Sequence, residues 1–442
     1  MKNTSYTHRL MAKFAIEATT PLAVGNGQSA VTTDALVVTD INGLPCIPGT
    51  SIAGVLRHAM EQDGVEDFFG FQEGKKGHGS RVIISDAVMI GKTGVVLDGI
   101  QSIDFDDDFY VHFKQLPIRQ HVKINHRGAA EKGGKFDNQV VFKGTRFFFE
   151  IEMVSNNSDE LDSFKKIINH VFADDFRLGG GTRNGLGRFR VVDAKMATLN
   201  LCKPEDLESY LNKKSSLNDE WNCYEPYKPD VQEDTDALVT YSLKLSAKDF
   251  FLFGSGLPDD EADMTPVTEY YIEWKNGKPT FQEGTLLPGT SIKGALSHRT
   301  AFYWNKLNGF YADEGNGKTG DENPAVVALF GCSGEGKDSA KIKRGNVMID
   351  DVIVPSLSTK IVNHVAIDRF TGGALDGALF SEKVNDASGQ QFNIDIIVNS
   401  CAFKEDVYIK QAFEKALEDL RTGMLPLGGG VNRGNGIFYE TK

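Results

Sequence analysis

The sequence lacks paired cysteines, long apolar runs and a signal-peptide core, and each absence argues against a class of protein. Its five cysteines are scattered and form no C-x-x-C pair, which argues against a disulfide framework or a structural zinc site. No apolar run approaches the ~18 to 20 residues of a membrane-spanning helix. The N-terminus lacks the apolar core of a signal peptide. The sequence therefore predicts a soluble, cytoplasmic protein.

Positive charge is also in short supply. There are 61 Asp and Glu against 48 Lys and Arg, a net charge of 48 − 61 = −13. This balance argues against a generic nucleic-acid coat, although binding depends on where cations cluster. A hydrophobic content of 40% supports real cores and excludes a mainly disordered chain. The length of 442 residues favours two or three domains.

Glycine is plentiful, with 46 residues, and some of it lies in an internal repeat. Five segments recur in the same order, which chance composition does not explain. The matched segments are 48–52 with 288–292, 69–70 with 330–331, 81–88 with 346–353, 121–125 with 364–368, and 179–189 with 428–438. One fold therefore occurs twice, in residues 1–200 and 238–442, joined by a polar linker over 201–237.

Apolar periodicity indicates the same elements in each copy. Residues 10–19 and 238–247 alternate as half-buried strands do. Each Pro-Gly-Thr-Ser-Ile motif predicts a turn, a Ser/Thr cap and a helix. Residues 159–172 and 406–424 predict amphipathic helices, each followed by a glycine-rich loop and a final strand. This order predicts an α+β fold of two tandem ferredoxin-like (RRM-like) domains with loop insertions and antiparallel sheets.

The repeated motifs resemble the RAMP superfamily, specifically the backbone subunits of type III CRISPR effector complexes. The similar features are PGTSI, the glycine-rich loops, and HVAIDRFTGGALDGALF at 364–380. The resemblance covers nearly the whole chain except the linker. It implies a guide-RNA-binding subunit of a ribonucleoprotein that cleaves complementary target RNA at intervals of about six nucleotides. The implied partners are guide CRISPR RNA, target RNA, and other backbone and accessory subunits.

The helix starts and glycine-rich loops predict RNA phosphate contacts. A helix N-terminus offers free N–H groups, to which each motif adds hydroxyls and nearby cations. A nucleotide P-loop is excluded because Gly294 is followed by Ala295. The alternatives are an ordinary capped helix and, for the glycine-rich loops, a tight turn. The candidate contacts are Thr50, Ser51, Arg57, Arg183, Ser291, Lys293, Arg299 and Arg433.

The segment 114–135 is a local cation patch, with six Lys or Arg and one Glu. Its glycines predict a mobile loop and not a strand, with Lys123 and Arg127 as RNA contacts. The alternative is a solvated surface loop. The resemblance implies a thumb-like hairpin that inserts into the guide–target duplex, for which 114–135 and 361–385, with Arg369, are the candidates.

The resemblance also implies a catalytic Asp in the loop between the first strand and the PGTSI motif. Asp34 lies 48 − 34 = 14 residues before Pro48, where that acid is expected. In the second copy Asp263 is best placed among Asp259, Asp260 and Asp263, although its spacing to Pro288 is 288 − 263 = 25. Both acids are candidate ligands of a weakly held divalent metal, Mg or Mn.

Four alternatives stay open from the sequence. Asp34 could be a simple turn residue, and one copy could have lost cleavage. The chain could be a non-catalytic structural or capping subunit of the same complex. It could also be a guide-processing endoribonuclease with His121 or His126 as acid–base group, which does not account for the duplicated PGTSI motif.

Overall fold

A computed structural model of the chain has one main antiparallel sheet in each half, of six strands in the first half and four in the second, with smaller sheets of two or three strands beside them. It describes residues 6–30, 33–60, 64–125, 127–229, 237–311, 315–332, 342–387 and 389–441. Within these ranges no helix has the length and apolar character needed to cross a membrane.

The first sheet has the strand order β10-β9-β1-β8-β4, with β5 also paired to β8. Its main strands run in the spatial order fourth, first, third, second, which is the ferredoxin-like arrangement. The strands of the first half are β1 (His8–Ala18), β2 (Phe71–Glu73), β3 (Lys76–His78), β4 (Val82–Ile84), β5 (Val88–Met89), β6 (Ile118–Ile124), β7 (Ala130–Gln139), β8 (Arg146–Ser155), β9 (Phe189–Asn200) and β10 (Glu225–Pro226).

The second sheet repeats that arrangement in the order β17-β21-β11-β22. Its strands pair antiparallel throughout, which confirms two tandem ferredoxin-like domains. The strands of the second half are β11 (Leu238–Ala247), β12 (Phe250–Phe251), β13 (Thr268–Lys275), β14 (Lys278–Leu287), β15 (Gly331–Cys332), β16 (Lys343–Arg344), β17 (Val347–Ile349), β18 (Val352–Pro355), β19 (Thr359–Ile367), β20 (Ala374–Asp386), β21 (Gln391–Asn399) and β22 (Phe438–Glu440).

Helices cover one face of each sheet and close its core. In the first core Phe14 of the sheet stacks on Phe149, with ring centroids 5.3 Å apart, and Phe164 of a covering helix is fully buried. In the second core Phe413 takes the matching helical position. The helices are α1 (Gly49–Ala59), α2 (Val65–Phe69), α3 (Leu161–Asn169), α4 (Pro204–Leu211), α5 (Gly289–Leu307), α6 (Pro324–Phe330) and α7 (Val407–Arg421).

The segment after β9 packs on the first domain. It forms α4 and the edge strand β10, which pairs with β9. Lys13 donates to the carbonyl of Asp219 at 3.1 Å, and the Tyr224 hydroxyl donates to Glu150 at 2.9 Å. Both faces of β1 are therefore buried, although its sequence alternates as a half-buried strand does.

Two projecting hairpins, β6–β7 and β19–β20, occupy the segments proposed as thumbs. The prediction that 114–135 is a loop and not a strand is wrong, because β6 and β7 pair through most of it. Gly128, at φ 77°, lies in the turn, and Gly133, at φ 74°, lies near the point where the register shifts. The glycines therefore mark the turn and irregularity of a hairpin, which is a usual role for them in sheets.

A further hairpin, β13–β14, lies in the second copy between its acid loop and α5, and it packs on the first domain. The Phe281 ring lies 5.0 Å from that of Phe142, and the Trp274 indole N–H donates to the Gly144 carbonyl at 2.8 Å. The Arg146 guanidinium lies 3.9 Å from the centre of the Trp274 ring. This hairpin accounts for the longer spacing between Asp263 and Pro288, and it joins the two domains through an aromatic contact.

Candidate functional site

Asp34 lies on an exposed loop between β1 and α1 and is tied to the base of the β6–β7 hairpin. Its N–H donates to Asp137 Oδ1 at 2.8 Å, and its Oδ2 accepts the N–H of Asp137 at 3.0 Å. These reciprocal hydrogen bonds fix the loop against β7 while the Asp34 side chain stays exposed. The first domain therefore presents two carboxylates together at the base of its hairpin.

Asp263 has the same relation to the second hairpin. Its Oδ2 accepts the N–H of Ser381 at 2.8 Å and the Ser381 hydroxyl at 3.0 Å. Hydrogen bonds from the Ser381 N–H and hydroxyl lower the pKa of Asp263. Ser381 follows Phe380 as Asp137 follows Phe136, and each Phe is register-paired with the histidine of its hairpin. Asp34 and Asp263 thus occupy matching positions.

The neighbouring acids of the second loop are engaged differently. Asp259 forms an ion pair with Lys383 at 2.6 Å, and Glu261 contacts the same ammonium at 2.6 Å. Asp260 is exposed. The geometry therefore singles out Asp263 as the counterpart of Asp34, while the chemical role of either acid stays a prediction.

Each hairpin also carries a histidine stacked on a phenylalanine. The ring centroids of His121 and Phe136 lie 4.9 Å apart, and those of His364 and Phe380 lie 4.8 Å apart. Burial lowers the pKa of His121, whose Nε2 lies 2.8 Å from Asn138 Oδ1. Its direct partner is thus a neutral amide, and the acid–base role considered for it stays a hypothesis. The other histidine considered, His126, lies outside the described residues.

The glycine-rich loops are tight turns, each hydrogen-bonded to the segment that follows the first strand of its own domain. The Gly180 N–H donates to the Ala23 carbonyl at 2.6 Å, and the Gly429 N–H donates to the Leu252 carbonyl at 2.7 Å. Gly179 and its counterpart Gly428 have φ near 88°, and a Cβ on either would collide with the same carbonyls. The turn interpretation therefore holds for the backbone of both loops.

Two predicted RNA contacts from different domains meet at the junction. The Lys293 ammonium donates to the Arg183 carbonyl and to Asn184 Oδ1, both at 3.0 Å. Burial, followed by the charge of Arg183, lowers the pKa of Lys293 to about 8. Burial, followed by the charges of Arg344 and Arg177, lowers the pKa of Arg183 to about 10.

Arg183 and Lys293 therefore lie in a cluster of cations, of which Arg177 is already paired with Asp350. Asp175 acts on Arg183 in the opposite sense, but less than the two arginines do. The Arg183 Nε is buried and has no hydrogen-bond partner among the described residues. A buried donor of this kind costs free energy until an acceptor reaches it, and a phosphate oxygen would supply one.

The other predicted RNA contacts are dispersed. Arg57, Arg127 and Arg369 are exposed, and Lys123 pairs with Glu131 at 2.9 Å. Two arginines instead stabilise the second domain. Arg299 lies 3.2 Å from Asp419 in α7, and Arg433 pairs with the fully buried Glu382.

The predicted Ser/Thr capping of the PGTSI helices is wrong. Helices α1 and α5 begin at Gly49 and Gly289, so Thr50, Ser51 and Ser291 lie inside the first turn and make no capping bond. The Gly49 N–H instead donates to Asp86 Oδ1 at 2.8 Å, and the Gly289 N–H to Asp351 Oδ1 at 2.7 Å. Each helix start is already occupied by a carboxylate of its own domain, which disfavours a phosphate at that N–H.

Sequence reasoning missed several of these residues. Asp86 and Asp351 lie in the matched segments 81–88 and 346–353, so the recurrence of the acid was a signal that could have found them. Asp137 and Ser381 share a position but no side-chain chemistry, and the repeat therefore gave no signal for them.

The acids fit only a loosely held metal ion. Within the described ranges, no group of three or more His, Cys, Asp or Glu side chains is placed to hold one. Asp34 with Asp137 offers two carboxylates, and Asp263 offers one. Water and phosphate oxygens would have to complete the shell of a hard cation at either position.

Comparison with known proteins agrees with the duplicated fold. The family model described as "RAMP superfamily" matches residues 15–190 and 281–439, one region in each domain. The protein named CRISPR system Cms endoribonuclease Csm3, from Methanocaldococcus jannaschii, is 24% identical over 225 residues. That alignment covers 47% of this chain and 86% of the relative.

Proposed function

The chain belongs to the RAMP superfamily, and we propose that it is a guide-RNA-binding backbone subunit of a type III CRISPR ribonucleoprotein that cleaves complementary target RNA. The similarity to an endoribonuclease of a CRISPR system supports the class of activity. The observation that carries the proposal is the matched placement of Asp34 and Asp263. Each is exposed at the base of a projecting hairpin, once per domain.

RNA binding is supported by the cations of the junction. Arg183 and Lys293 come from different domains, and the positive cluster therefore exists only when both are docked. Phosphate groups of a guide strand that crosses the junction would neutralise it and satisfy the buried Arg183 Nε. Most of the phosphate affinity of such a surface is electrostatic and independent of base sequence, as a guide-binding backbone requires.

The acids can support cleavage by the RNA 2′-hydroxyl. That reaction needs a proton acceptor near the hydroxyl and stabilisation of the charge on the phosphorane. The hydrogen bonds from the hairpins reach Oδ2 of Asp34 and of Asp263. Within the described ranges Oδ1 of each has no hydrogen-bond partner, so it can accept a proton or contact a cation. A bound Mg or Mn ion would lower the pKa of the hydroxyl and stabilise the phosphorane.

Asp137 and Ser381 act as positioning residues in this scheme, because they hold the acid loop against the hairpin. They also make the two sites unequal, since Asp137 adds negative charge and Ser381 does not. We expect one cut per domain, about six nucleotides apart, with the site of the first domain binding a divalent cation more tightly.

The decisive experiment maps cuts on a complementary RNA with the complex assembled by co-expression with its guide. Asp34→Ala should remove one cut and Asp263→Ala the other, while target binding is retained. Asp260→Ala is the matched control, because Asp260 is an exposed acid of the same loop as Asp263. Chelation should abolish both cuts.

The alternative of a non-catalytic backbone subunit makes the opposite prediction. If Asp34→Ala with Asp263→Ala leaves every cut intact while the guide stays bound, the chain is structural and the nuclease assignment fails. If a cut and target binding are lost together, the loop itself supports the RNA, and the acids have no separate catalytic role.

A further inference from the structure

The base of the second hairpin contains a buried carboxylate. Glu382 of β20 is fully buried, and its Oε2 lies 3.0 Å from Nε2 of His364 in the paired strand β19. Its Oε1 accepts a hydrogen bond from Arg433 of the glycine-rich loop. A buried carboxylate is costly unless a cation and hydrogen bonds compensate it. Arg433 therefore supplies, from outside the hairpin, the cation that this carboxylate needs.

Glu382 follows directly the residue that holds the acid loop of the second domain. The Ser381 N–H and hydroxyl donate to Asp263 Oδ2 at 2.8 and 3.0 Å, and the hydroxyl oxygen accepts the Asp263 N–H at 3.1 Å. The Met264 N–H donates to the Ser381 carbonyl at 3.2 Å, and the Lys383 N–H donates to the Met264 carbonyl at 2.8 Å. The acid loop therefore runs beside β20 at Glu382, and a shift of that residue would displace the Asp263 carboxylate.

The hairpin of the first domain places its buried charge on the opposite strand. Asn138 takes the position of Glu382, and its register partner is Arg119, which is buried against two carboxylates of the second domain. In the second hairpin the register partner of Glu382 is Val362. Each hairpin base thus contains one buried charge at this register pair. The first is compensated by the neighbouring domain and the second by its own glycine-rich loop.

The loop residue differs between the domains together with the hairpin residue. In the matched segments 179–189 and 428–438, Asn184 takes the position of Arg433. Asn184 Oδ1 accepts a hydrogen bond from Lys293 at 3.0 Å and so contacts the other domain. The hairpin and loop positions therefore hold Glu with Arg in the second domain and Asn with Asn in the first, so that their charges balance in both.

We propose that Arg433 is a positioning residue for the cut assigned to the second domain. It fixes Glu382 in β20, and the adjacent Ser381 is thereby held against Asp263. The inference rests on the proposed function of Asp263 as the acid of that cut. Loss of the guanidinium would leave the buried carboxylate without its cation, and the carboxylate would move toward water. That movement would disturb the acid loop of the second domain and leave Asp34 in place.

Single-turnover cleavage of a complementary RNA by the complex assembled with its guide tests this inference, because the first cut serves as an internal standard. Arg433→Gln should slow the second cut about tenfold, as expected when a reacting group is misplaced. The first cut and the affinity for the target should not change. Arg421→Gln is the matched control. The Arg421 side chain is 32% exposed against 34% for Arg433, but its partner Glu440 is itself exposed, so neither cut should change.

The first domain supplies a pair of residues for rescue. Glu382→Asn combined with Arg433→Asn reproduces the pair Asn138 and Asn184 and removes both charges together. In the first domain, Asn138 Oδ1 still reaches the histidine of its hairpin at 2.8 Å. The double variant should therefore recover most of the rate of the second cut. A direct contact of the Arg433 guanidinium with RNA would not be restored in this way.

Hydrogen exchange of the Met264 amide gives a readout that does not depend on cleavage, because this N–H donates to the Ser381 carbonyl. Exchange should be faster in Arg433→Gln than in the wild type, and it should return to the wild-type rate in the double variant. Arg421→Gln should exchange as the wild type does.

Several results would overturn the inference. They are an unchanged second cut or unchanged exchange in Arg433→Gln, equal slowing of both cuts, loss of guide RNA, and no recovery in the double variant. If Asp263→Ala leaves the second cut intact, the proposed function fails and the inference fails with it. If Asp263→Ala removes that cut while Arg433→Gln leaves it unchanged, the inference alone fails.

Discussion

The two domains share their backbone anchors and differ in the side chains that reach outward. Asp86 and Asp351 hold equivalent helix starts, and Gly179 and Gly428 make equivalent turns. By contrast, the position filled by Arg119 in the first domain holds Val362 in the second. The repeat thus preserves the anchors that both folds need, and it differs at a position that makes the contact between the two domains.

The hairpins differ in the same way. The first hairpin carries Lys123, Arg127, Lys132 and Lys135 on exposed positions. Both hairpins expose apolar side chains, but the second exposes them more fully, with Phe370 at 99% and Leu379 at 70%. A cationic hairpin binds phosphates through charge, whereas an apolar one is suited to stacking with bases. The comparison yields four predictions.

The largest effect is expected from Arg119→Ala. It leaves Glu269 and Asp351 buried, at 7% and 6% exposure, without their shared cation. Breaking a buried ion pair from one side costs about 3 to 5 kcal/mol of the free energy of unfolding. Urea denaturation measures this loss of unfolding free energy. If two transitions are resolved, the one at the lower urea concentration is compared.

The matched control is Val362→Ala in the second domain, which removes two methyl groups from a half-buried side chain and should cost about 1 kcal/mol. Adding Glu269→Gln and Asp351→Asn to Arg119→Ala should recover part of the stability, because the unpaired charges are gone. Equal losses for Arg119→Ala and Val362→Ala would show that the junction is not held by this ion pair.

A smaller effect is expected within the glycine-rich loop. Gly436 has φ 76°, and a Cβ there would collide with the Leu427 carbonyl. Gly436→Ala should therefore destabilise the second domain by at least about 2 kcal/mol. Gly429→Ala is the control, because its φ is ordinary and its Cβ would lie 3.5 Å from the nearest atom.

Measuring RNA retention tests whether Gly180 and Gly429 contribute to RNA binding in addition to forming a turn. Gly180→Ala and Gly429→Ala should melt normally in thermal denaturation. If the loops run along the guide, these variants should nevertheless lose bound RNA from the purified complex. Normal retention in both would assign the loops to turns alone.

The sequence predicts the fold well because its duplication marks the elements that both copies need. The strand β11 begins and ends at the residues expected from its alternation, 238–247. The segment 114–135 is mispredicted because glycine favours both loops and hairpin irregularities, and only the pairing of β6 with β7 distinguishes them. Long-range pairing is not encoded in local composition.

The candidate site, like the fold, is predictable from the sequence only in part. The loops of Asp34 and Asp263 follow from their order along the chain, but their equivalence depends on hydrogen bonds to Asp137 and Ser381, about a hundred residues away. The junction cluster was not predicted as a unit, because Arg183 and Lys293 come from different domains and meet only when these dock.

The third prediction concerns pH. The pKa of Lys293 is lowered to about 8 by burial and by Arg183. A bound phosphate favours the ammonium form, so above pH 8 binding must first protonate the lysine. The affinity for single-stranded RNA should fall as pH rises from 8 to 10, by at most about tenfold per pH unit.

Fluorescence anisotropy at constant ionic strength measures this dependence. Lys293→Arg should keep the affinity and remove the pH dependence between pH 8 and 9, which lies below the lowered pKa of Arg183. Lys293→Ala should bind more weakly at pH 7 and show no further loss between pH 8 and 9. A wild-type affinity that is flat from pH 8 to 10 would contradict the placement of phosphate beside Lys293.

The smallest effect per residue is expected at the hairpins, where the cations are exposed and solvated. Each neutralised phosphate contributes roughly −0.7 to the slope of log affinity against log salt for single-stranded RNA. In the first hairpin, the quadruple replacement with Ala should flatten the slope by that amount for every phosphate that the four cations neutralise; the residues replaced are Lys123, Arg127, Lys132 and Lys135. In the second hairpin, Arg369→Ala should release at most one phosphate. Asp260→Asn serves as the control for a change of surface charge that touches no RNA. An unchanged slope in the quadruple variant would assign the first hairpin to solvated surface, and an equal change in both hairpins would remove the distinction drawn between a cationic and an apolar thumb.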